Sequence, residues 1–214
     1  MHDSFSLDNA LPESPYSRFV KSMEINYEKW RDGVGYDLEA LREADAKERE
    51  AIEKILTDKT PRDWRDIQAL ATLNTSTSRE TVLHSRGENN EVNMAVLRFA
   101  PDLVCNEAKT RTLVKALKTA SFFDGFSQTL DIVGEYHPKE VVHELFHGAL
   151  HREGGIAVHF AALLFYIYGK GETIFDEKNR NFFLKFNTPK LSERRLVFNE
   201  LCEKIGVDCA EYYK

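Results

Sequence analysis

The segment His143-Glu144-Leu145-Phe146-His147 holds the residue types that could most directly do chemistry in this chain. It matches the pattern H-E-x-x-H, in which two histidines one helical turn apart bind zinc and the glutamate serves as a general base. His151 follows one turn further along the same segment. The apolar spacing around the motif predicts a helix, which is the support that this zinc chemistry requires.

The motif is similar to that of the zinc metalloproteases, but the helix that carries it argues against that activity. At about 100° per residue, apolar side chains fill one half of the helix, and His143, His147 and His151 form a ridge on the polar half. Leu150 and Glu153 stand where a metzincin would have glycine and a third histidine. We therefore expect no stoichiometric zinc, and a zinc protease or a surface metal site on these histidines is the alternative.

No other pattern in the sequence indicates catalysis. A nucleophile elbow, a phosphate loop and a dinucleotide fingerprint are all missing from the sequence. The basic stretch at 109–118 reads as a solvated outer helix face. We expect a protein without enzymatic activity and without a cofactor.

The elements that must position the histidines lie at 138–169 and read as two helices joined at Gly154–Gly155. The second helix is apolar on nearly every side, as is typical of a helix enclosed by neighbours in a core. It is too short to span a bilayer, which needs about 20 apolar residues. Leu164 and Phe165 should be fully buried there. The buried face of the first helix is predicted to be Val141, Val142, Leu145, Phe146, Ala149 and Leu150.

Predicted helices alternate with short breaks along most of the chain, and the second helices of the pairs begin near Pro61, Glu91, Phe122 and Gly155. One helical hairpin in each period of about 30 residues is the signature of an α-solenoid. The segments NNEVNMAVLRFA and GGIAVHFAALLFYIYG stand where such a repeat places its inner helix. The region 60–169 therefore resembles HEAT-like (armadillo-type) repeats of bacterial type.

This resemblance implies an all-α fold of stacked helical hairpins, in a single domain at 16–214 that follows a disordered tail at 1–15. N-terminal capping helices at 16–59, and a loop with a C-terminal capping helix at 170–214, would cover the ends of the stack. The repeats at 60–169 lack the regular Asp and Arg signature of well-defined HEAT units. An irregular helical bundle is therefore the alternative fold.

Local patterns add four expectations about individual helices. One helix should run from Tyr16 to Asp32, and Thr60–Pro61 should start the helix that follows the charged N-terminal ones. A third helix should begin at Phe122. The last helix should point Leu196, together with Val197, Leu201 and Ile205, into the core, and Leu191 should be its first inward residue.

Charge and cysteine content narrow the classes of partner. The net charge is −6, and 14 acidic against 9 basic residues place most of it in residues 1–60. An acidic chain without a strong basic patch is a poor candidate for binding nucleic acid and a better one for binding a basic protein. Three scattered cysteines give neither a disulfide framework nor a zinc cluster. Together with an N-terminus that lacks an apolar signal region, they lead us to expect a cytoplasmic, monomeric protein that does not bind membranes.

The predicted helix at 122–135 combines an apolar face with an acidic ridge, and this ridge suggests where a partner would bind. Stacked second helices would form a strip with a negative centre, which would steer a basic protein towards it; a merely solvated face is the alternative. His159 either lines this groove or is a buried histidine with one hydrogen-bond partner. The predicted partner-binding residues are Arg65, Gln68, Thr72, Glu91, Arg98, Asp124, Gln128, Asp131, Glu135, His159 and Tyr166.

Small acidic HEAT-like proteins of this type resemble immunity proteins, which neutralise a bacterial toxin. The resemblance therefore implies a non-catalytic protein-binding solenoid. A HEAT-like DNA-alkylation-repair glycosylase of similar build is the alternative, but it would need a basic groove facing DNA.

Overall fold

The structure is a computed structural model that describes residues 13–122 and 124–213. These residues form thirteen α-helices and short 3-10 turns, and no β-strand occurs among them. The predicted all-α class is therefore confirmed. The chain divides into two compact units with a boundary between His84 and Ser85. This boundary falls inside the predicted repeat region at 60–169, and the single domain with its capping helices stays a prediction.

In residues 13–84 of the first unit, the structure has six helices: α1 Pro15–Ser22, α2 Tyr27–Arg31, α3 Leu38–Glu43, α4 Ala46–Asp58, α5 Trp64–Leu73 and α6 Ser76–His84. Helix α1 packs on α3 and α4, and α5 packs on α3, α4 and α6. The core between them includes Phe19, Leu41, Ile52 and Leu56.

Side-chain caps decide where the helices of the first unit begin. Asp37 and Asp45 cap α3 and α4, as their positions in the sequence predict. The single helix expected from Tyr16 to Asp32 is wrong, because the chain leaves the helix after Ser22 and Asn26 caps a new one. The predicted tail at 1–15 lies outside the described residues up to residue 12, and α1 already begins at Pro15.

The expected helix start at Thr60–Pro61 is also wrong. Asp63 caps α5 in a reciprocal capping box. The Asp63 side chain accepts from the backbone N–H of Asp66, and the Asp66 side chain accepts from the backbone N–H of Asp63. Asp66 is fully buried and also accepts hydrogen bonds from Tyr36 Oη at 2.9 Å and from Lys59 Nζ at 2.8 Å. The reciprocal cap and this buried network fix the start of α5 at Trp64.

In the described residues of the second unit, 85–122 and 124–213, the structure has seven helices: α7 Asn90–Phe99, α8 Asn106–Lys118, α9 Phe126–Glu135, α10 Lys139–His151, α11 Gly154–Ile167, α12 Arg180–Leu184 and α13 Leu191–Ile205. The second helices of the predicted pairs touch in order, α7 against α9 and α9 against α11. Helix α10 packs against α8, α11 and α13.

The two helices predicted at 138–169 correspond to α10 and α11, which make the most extensive helix contact in the second unit. Gly148 of α10 allows this close approach, because a Cβ atom there would lie 2.4 Å from ring atoms of Phe160 on α11. Leu164 is fully buried and Phe165 is nearly so, as predicted. Both helices contribute fully buried side chains to the core of the second unit.

Helix α9 begins at Phe126, so the expected start at Phe122 is wrong. Gly125 precedes the helix with φ +65°, a conformation that disfavours residues with a side chain. A Cβ atom at Gly125 would also lie 3.1 Å from the Cα atom of Glu91. The close approach to α7 thus requires a left-handed glycine, and Phe122 is left exposed in the turn before it.

The inward face of α13 differs from the predicted one. Leu196 is 71% exposed and Leu191 is also exposed, whereas Arg194 is only 2% exposed. The Arg194 guanidinium donates to Leu150 O at 2.7 Å and to Thr188 O at 2.5 Å, so it satisfies a carbonyl at the end of α10. Arg194 occupies the core side of α13 because it donates hydrogen bonds to backbone oxygen atoms. The spacing of hydrophobic residues in the sequence cannot predict such bonds.

A candidate binding cleft

A cleft of about 480 Å³ opens in the second unit where α7, α9 and α11 end. It combines charged side chains at its rim with an apolar floor. The residues that line it are Leu97, Arg98, Pro101, Lys109, Asp131, Ile132, Gly134, Glu135, Tyr166 and Ile174.

The acidic side of the cleft comes from Asp131 and Glu135, which are exposed and lie one turn apart on α9. Residues at this spacing have Cβ atoms about 5–6 Å apart, so one cation can contact both carboxylates. Neither side chain forms an ion pair or a hydrogen bond within the part of the chain that the structure describes. Both carboxylates are therefore available to a ligand.

Two cations, Arg98 and Lys109, also line the cleft. Lys109 Nζ lies 4.3 Å from the centroid of the Tyr136 ring, and the Tyr136 hydroxyl is 3.0 Å from Thr110 Oγ1. The Arg98 guanidinium carbon lies 5.7 Å from the ring of Phe99. These aromatic contacts hold the two cations in place without neutralising them.

The apolar floor depends on Gly134. A Cβ atom there would lie 3.2 Å from Ile174 Cδ1 and 3.7 Å from Tyr166 Cε1. The glycine therefore lets the loop at Ile174 and the phenol of Tyr166 close over α9, next to buried Leu97 and Ile132. The resulting cleft can hold the aliphatic part of a side chain and place its charged end beside carboxylates.

The structure brings four of the predicted partner-binding residues together at this cleft: Arg98, Asp131, Glu135 and Tyr166. Glu91, Asp124 and Gln128 do not line it. Glu91 lies in the first turn of α7, Gln128 in the first turn of α9, and Asp124 in the turn before α9.

His159 lies outside the cleft, among aromatic rings. Its ring centroid is 5.9 Å from that of Phe122, 5.5 Å from that of Phe126 and 5.3 Å from that of Phe175. Burial lowers the pKa of His159 below its ordinary value. The expected single hydrogen-bond partner is not found among residues 13–122 and 124–213, so aromatic packing defines this site.

The remaining predicted residues belong to the first unit. Arg65 is only 4% exposed, and its Nε donates to Val34 O at 2.8 Å while its guanidinium pairs with Asp63 at 3.3 Å. Gln68 and Thr72 are half-buried, and Thr72 donates its hydroxyl to the carbonyl oxygen of Gln68. Arg65 thus has partners of its own, and a strip that joins residues of both units stays a prediction.

The H-E-x-x-H helix exposes its three histidines, on the polar side that the pattern predicts. The rings of His147 and His151 are 4.5 Å apart, whereas His143 lies 5.4 Å from the ring of Tyr212. Glu144, the would-be base, is mostly buried, and its carboxylate is 3.8 Å from both His147 Nδ1 and Lys118 Nζ. Within the described ranges, no three His, Cys, Asp or Glu side chains form a group that could hold a metal ion.

Sequence reasoning missed Lys109 and Ile174 at the cleft. The basic stretch at 109–118 predicts a solvated outer helix face that includes Lys109. In the structure, the Lys109 side chain instead lies against the Tyr136 ring, a contact that the basic pattern does not indicate. Ile174 lies in a loop without helical periodicity, so no pattern could place it. Both positions depend on contacts between segments that are distant in sequence.

Comparison with models of known protein families, with curated proteins and with solved structures found no match to this chain. In the ranges that the structure describes, no helix combines the length and the apolar character needed to cross a membrane. The proposals about function therefore rest on the geometry of the cleft.

Proposed function

We propose that this chain is a non-catalytic binding protein whose cleft takes a lysine or arginine side chain from a basic segment of a partner protein. The observation that carries the proposal is the pair of exposed carboxylates, Asp131 and Glu135, which have no partner in the described chain and stand beside an apolar floor. The aliphatic stem of a long basic side chain matches that floor, and its cationic end matches the carboxylates.

The two cations that line the cleft favour one kind of segment. Arg98 and Lys109 would attract a carboxylate of the partner, so the cleft favours a segment in which a basic residue lies near an acidic one or a chain end. An exposed ion pair contributes only about 0.2–1 kcal/mol, so affinity must come mainly from apolar contact, and charge supplies selectivity.

The order of helix contacts supports a finer proposal. Helices α7, α9 and α11 touch in series, as inner helices of a HEAT-like solenoid would, and the cleft lies at the ends of all three. Such a protein could act in the cytoplasm as an immunity protein that neutralises a toxin through its basic surface. A DNA glycosylase is not proposed, because Asp131 and Glu135 would repel a phosphate backbone.

Binding to immobilised peptides of equal length tests the proposal, with one peptide each that is lysine-rich, arginine-rich, neutral or glutamate-rich. The parent protein should prefer the basic peptides, and its affinity should fall with added salt. The double variant Asp131→Lys with Glu135→Lys should lose about tenfold or more in affinity for basic peptides. The variant Glu140→Lys with Glu203→Lys makes the same change of net charge at exposed positions away from the cleft and should bind as the parent does.

Two results would contradict the proposal. Equal losses in the cleft variant and the control variant would show that only net charge matters. Unchanged binding by the cleft variant would show that a basic segment binds elsewhere. Circular dichroism of each variant separates either result from loss of the fold.

A further inference from the structure

Two of the cysteines lie in one corner of the second unit. Cys202 is on the last turns of α13 and is only 2% exposed, while Cys209 is partly exposed in the segment that follows. The helix ends at Gly206 with φ +75°, and Val207 N donates to Cys202 O at 2.9 Å. This C-terminal motif turns the chain back so that Cys209 returns to the helix it has just left.

The side chains around Cys209 hold it against α13. Its Sγ donates to Asn199 Oδ1 at 3.2 Å, and Asn199 lies one turn before Cys202 on the helix. Asn199 Oδ1 also accepts a hydrogen bond from the hydroxyl of Tyr213. Residues three apart on a helix have Cβ atoms about 5–6 Å apart, so the contact with Asn199 holds the Cys209 sulfur close to Cys202.

We propose that Cys202 and Cys209 are an oxidation site, at which a hydroperoxide converts the two thiols into a reversible disulfide that fastens the C-terminal segment to α13. In the first step the Cys209 thiolate attacks hydrogen peroxide, the O–O bond breaks, and Cys209 sulfenic acid and hydroxide form. In the second step the Cys202 sulfur attacks the sulfenic sulfur, the S–O bond breaks and water leaves with the thiol proton.

Exposure assigns these two roles. Cys209 is the more accessible thiol and meets the oxidant first, whereas buried Cys202 acts as the resolving thiol. Burial and the neighbouring Cys209 raise the pKa of Cys202 to about 12, so the second step should accelerate with pH throughout the neutral range. The third thiol, Cys105, is exposed and lies in the turn before α8.

The bond would fix a segment that now depends on noncovalent contacts. The ring of Tyr212 stacks on Phe146 of α10 with centroids 4.3 Å apart, and Tyr213 packs on Phe198 of α13 at 6.0 Å. A disulfide at Cys209, a few residues before Tyr212 and Tyr213, would hold these rings in place. The inference is independent of what the cleft binds.

The test uses the full chain with Cys105→Ser, so that Cys202 and Cys209 are the cysteines that can be oxidised. After treatment with hydrogen peroxide, the intact mass should fall by two hydrogen atoms, and dithiothreitol should restore it. Trypsin cuts after Lys204, between the two cysteines. The peptides that contain Cys202 and Cys209 should therefore appear as one linked species without reductant, and a protease should remove the C-terminal residues several-fold more slowly from the oxidised protein.

Two further variants keep the result interpretable. Cys209→Ser should fold normally and show no mass loss, and Cys202→Ser should leave Cys209 to accumulate as sulfenic or sulfinic acid. The proposal would be overturned if peroxide added oxygen to Cys209 in the Cys105→Ser protein while Cys202 remained available to alkylation after unfolding. Disulfide-linked dimers as the only product would overturn it equally.

Discussion

Replacing Gly148 by alanine sets helix propensity against packing at the contact between α10 and α11. Alanine stabilises the interior of a helix by about 1 kcal/mol relative to glycine. On a solvated helix face, this substitution would therefore make the protein more stable. Gly148, however, is buried on the face of α10 that meets α11.

The packing term opposes this gain and exceeds it. A Cβ atom would lie 2.4 Å from both Cδ2 and Cε2 of Phe160, and these ring atoms would have to move about 1 Å to reach ordinary contact. The Phe160 ring is fully buried and has the Phe126 ring 6.1 Å from it, so little space is available. Overpacking costs about 1–3 kcal/mol, and the 2.4 Å approach to two ring atoms indicates the upper part of this range, about 2–3 kcal/mol. Subtracting the helix gain leaves a net loss of about 1–2 kcal/mol.

Thermal unfolding followed by circular dichroism measures the balance. The melting temperature of Gly148→Ala should fall by about 2–8 °C. Gly134→Ala is the matched control, since the nearest atom to its Cβ would be the flexible end of Ile174 at 3.2 Å, while Tyr166 Cε1 at 3.7 Å is in ordinary contact, so the helix gain should prevail. Adding Phe160→Leu to Gly148→Ala should recover part of the loss. An increase in the melting temperature of Gly148→Ala would refute the packing argument.

Three further substitutions test the core and its ionisable groups. Asp66→Asn removes the charge that Lys59 faces and should lower the free energy of unfolding by about 3 kcal/mol in urea denaturation, whereas exposed Asp58→Asn should have little effect. Leu164→Ala should cost about 2–5 kcal/mol by the same measurement, and a change below about 0.5 kcal/mol would mean that α11 is not the core. For His159, burial lowers the folded pKa below 6.5, so the unfolded chain binds the proton more readily and stability falls as the pH drops below that value. His159→Leu should therefore reduce the loss of stability between about pH 7.5 and about pH 5.5, and an unchanged pH dependence would count against this assignment.

Features that depend on the spacing of nearby residues could be predicted from the sequence. Features that depend on contacts with segments distant in sequence could not. The α10–α11 pair and buried Leu164 follow from apolar periodicity, and the N-caps of α3 and α4 follow from single aspartates. The acidic pair on α9 follows from its helical register. The buried position of Arg194 depends on a carbonyl oxygen 44 residues away, and no pattern within α13 could indicate it. The cleft itself needs Ile174 from a loop, which has no period to detect.

Glu135 occupies a position in α9 that is unfavourable for a carboxylate in the folded chain alone. It is the last residue of α9, where the helix dipole favours a cation, yet the last turn holds no basic residue. A carboxylate there opposes folding by about 0.3–1 kcal/mol, so the folded chain alone gives no reason for it. A cation bound in the cleft would meet this carboxylate, Asp131 and the negative end of the helix together. Glu135→Lys should therefore raise the melting temperature slightly while it weakens binding of a lysine-rich peptide, two effects of opposite sign. If the variant loses stability and binding together, Glu135 supports the fold and the cleft loses its main evidence.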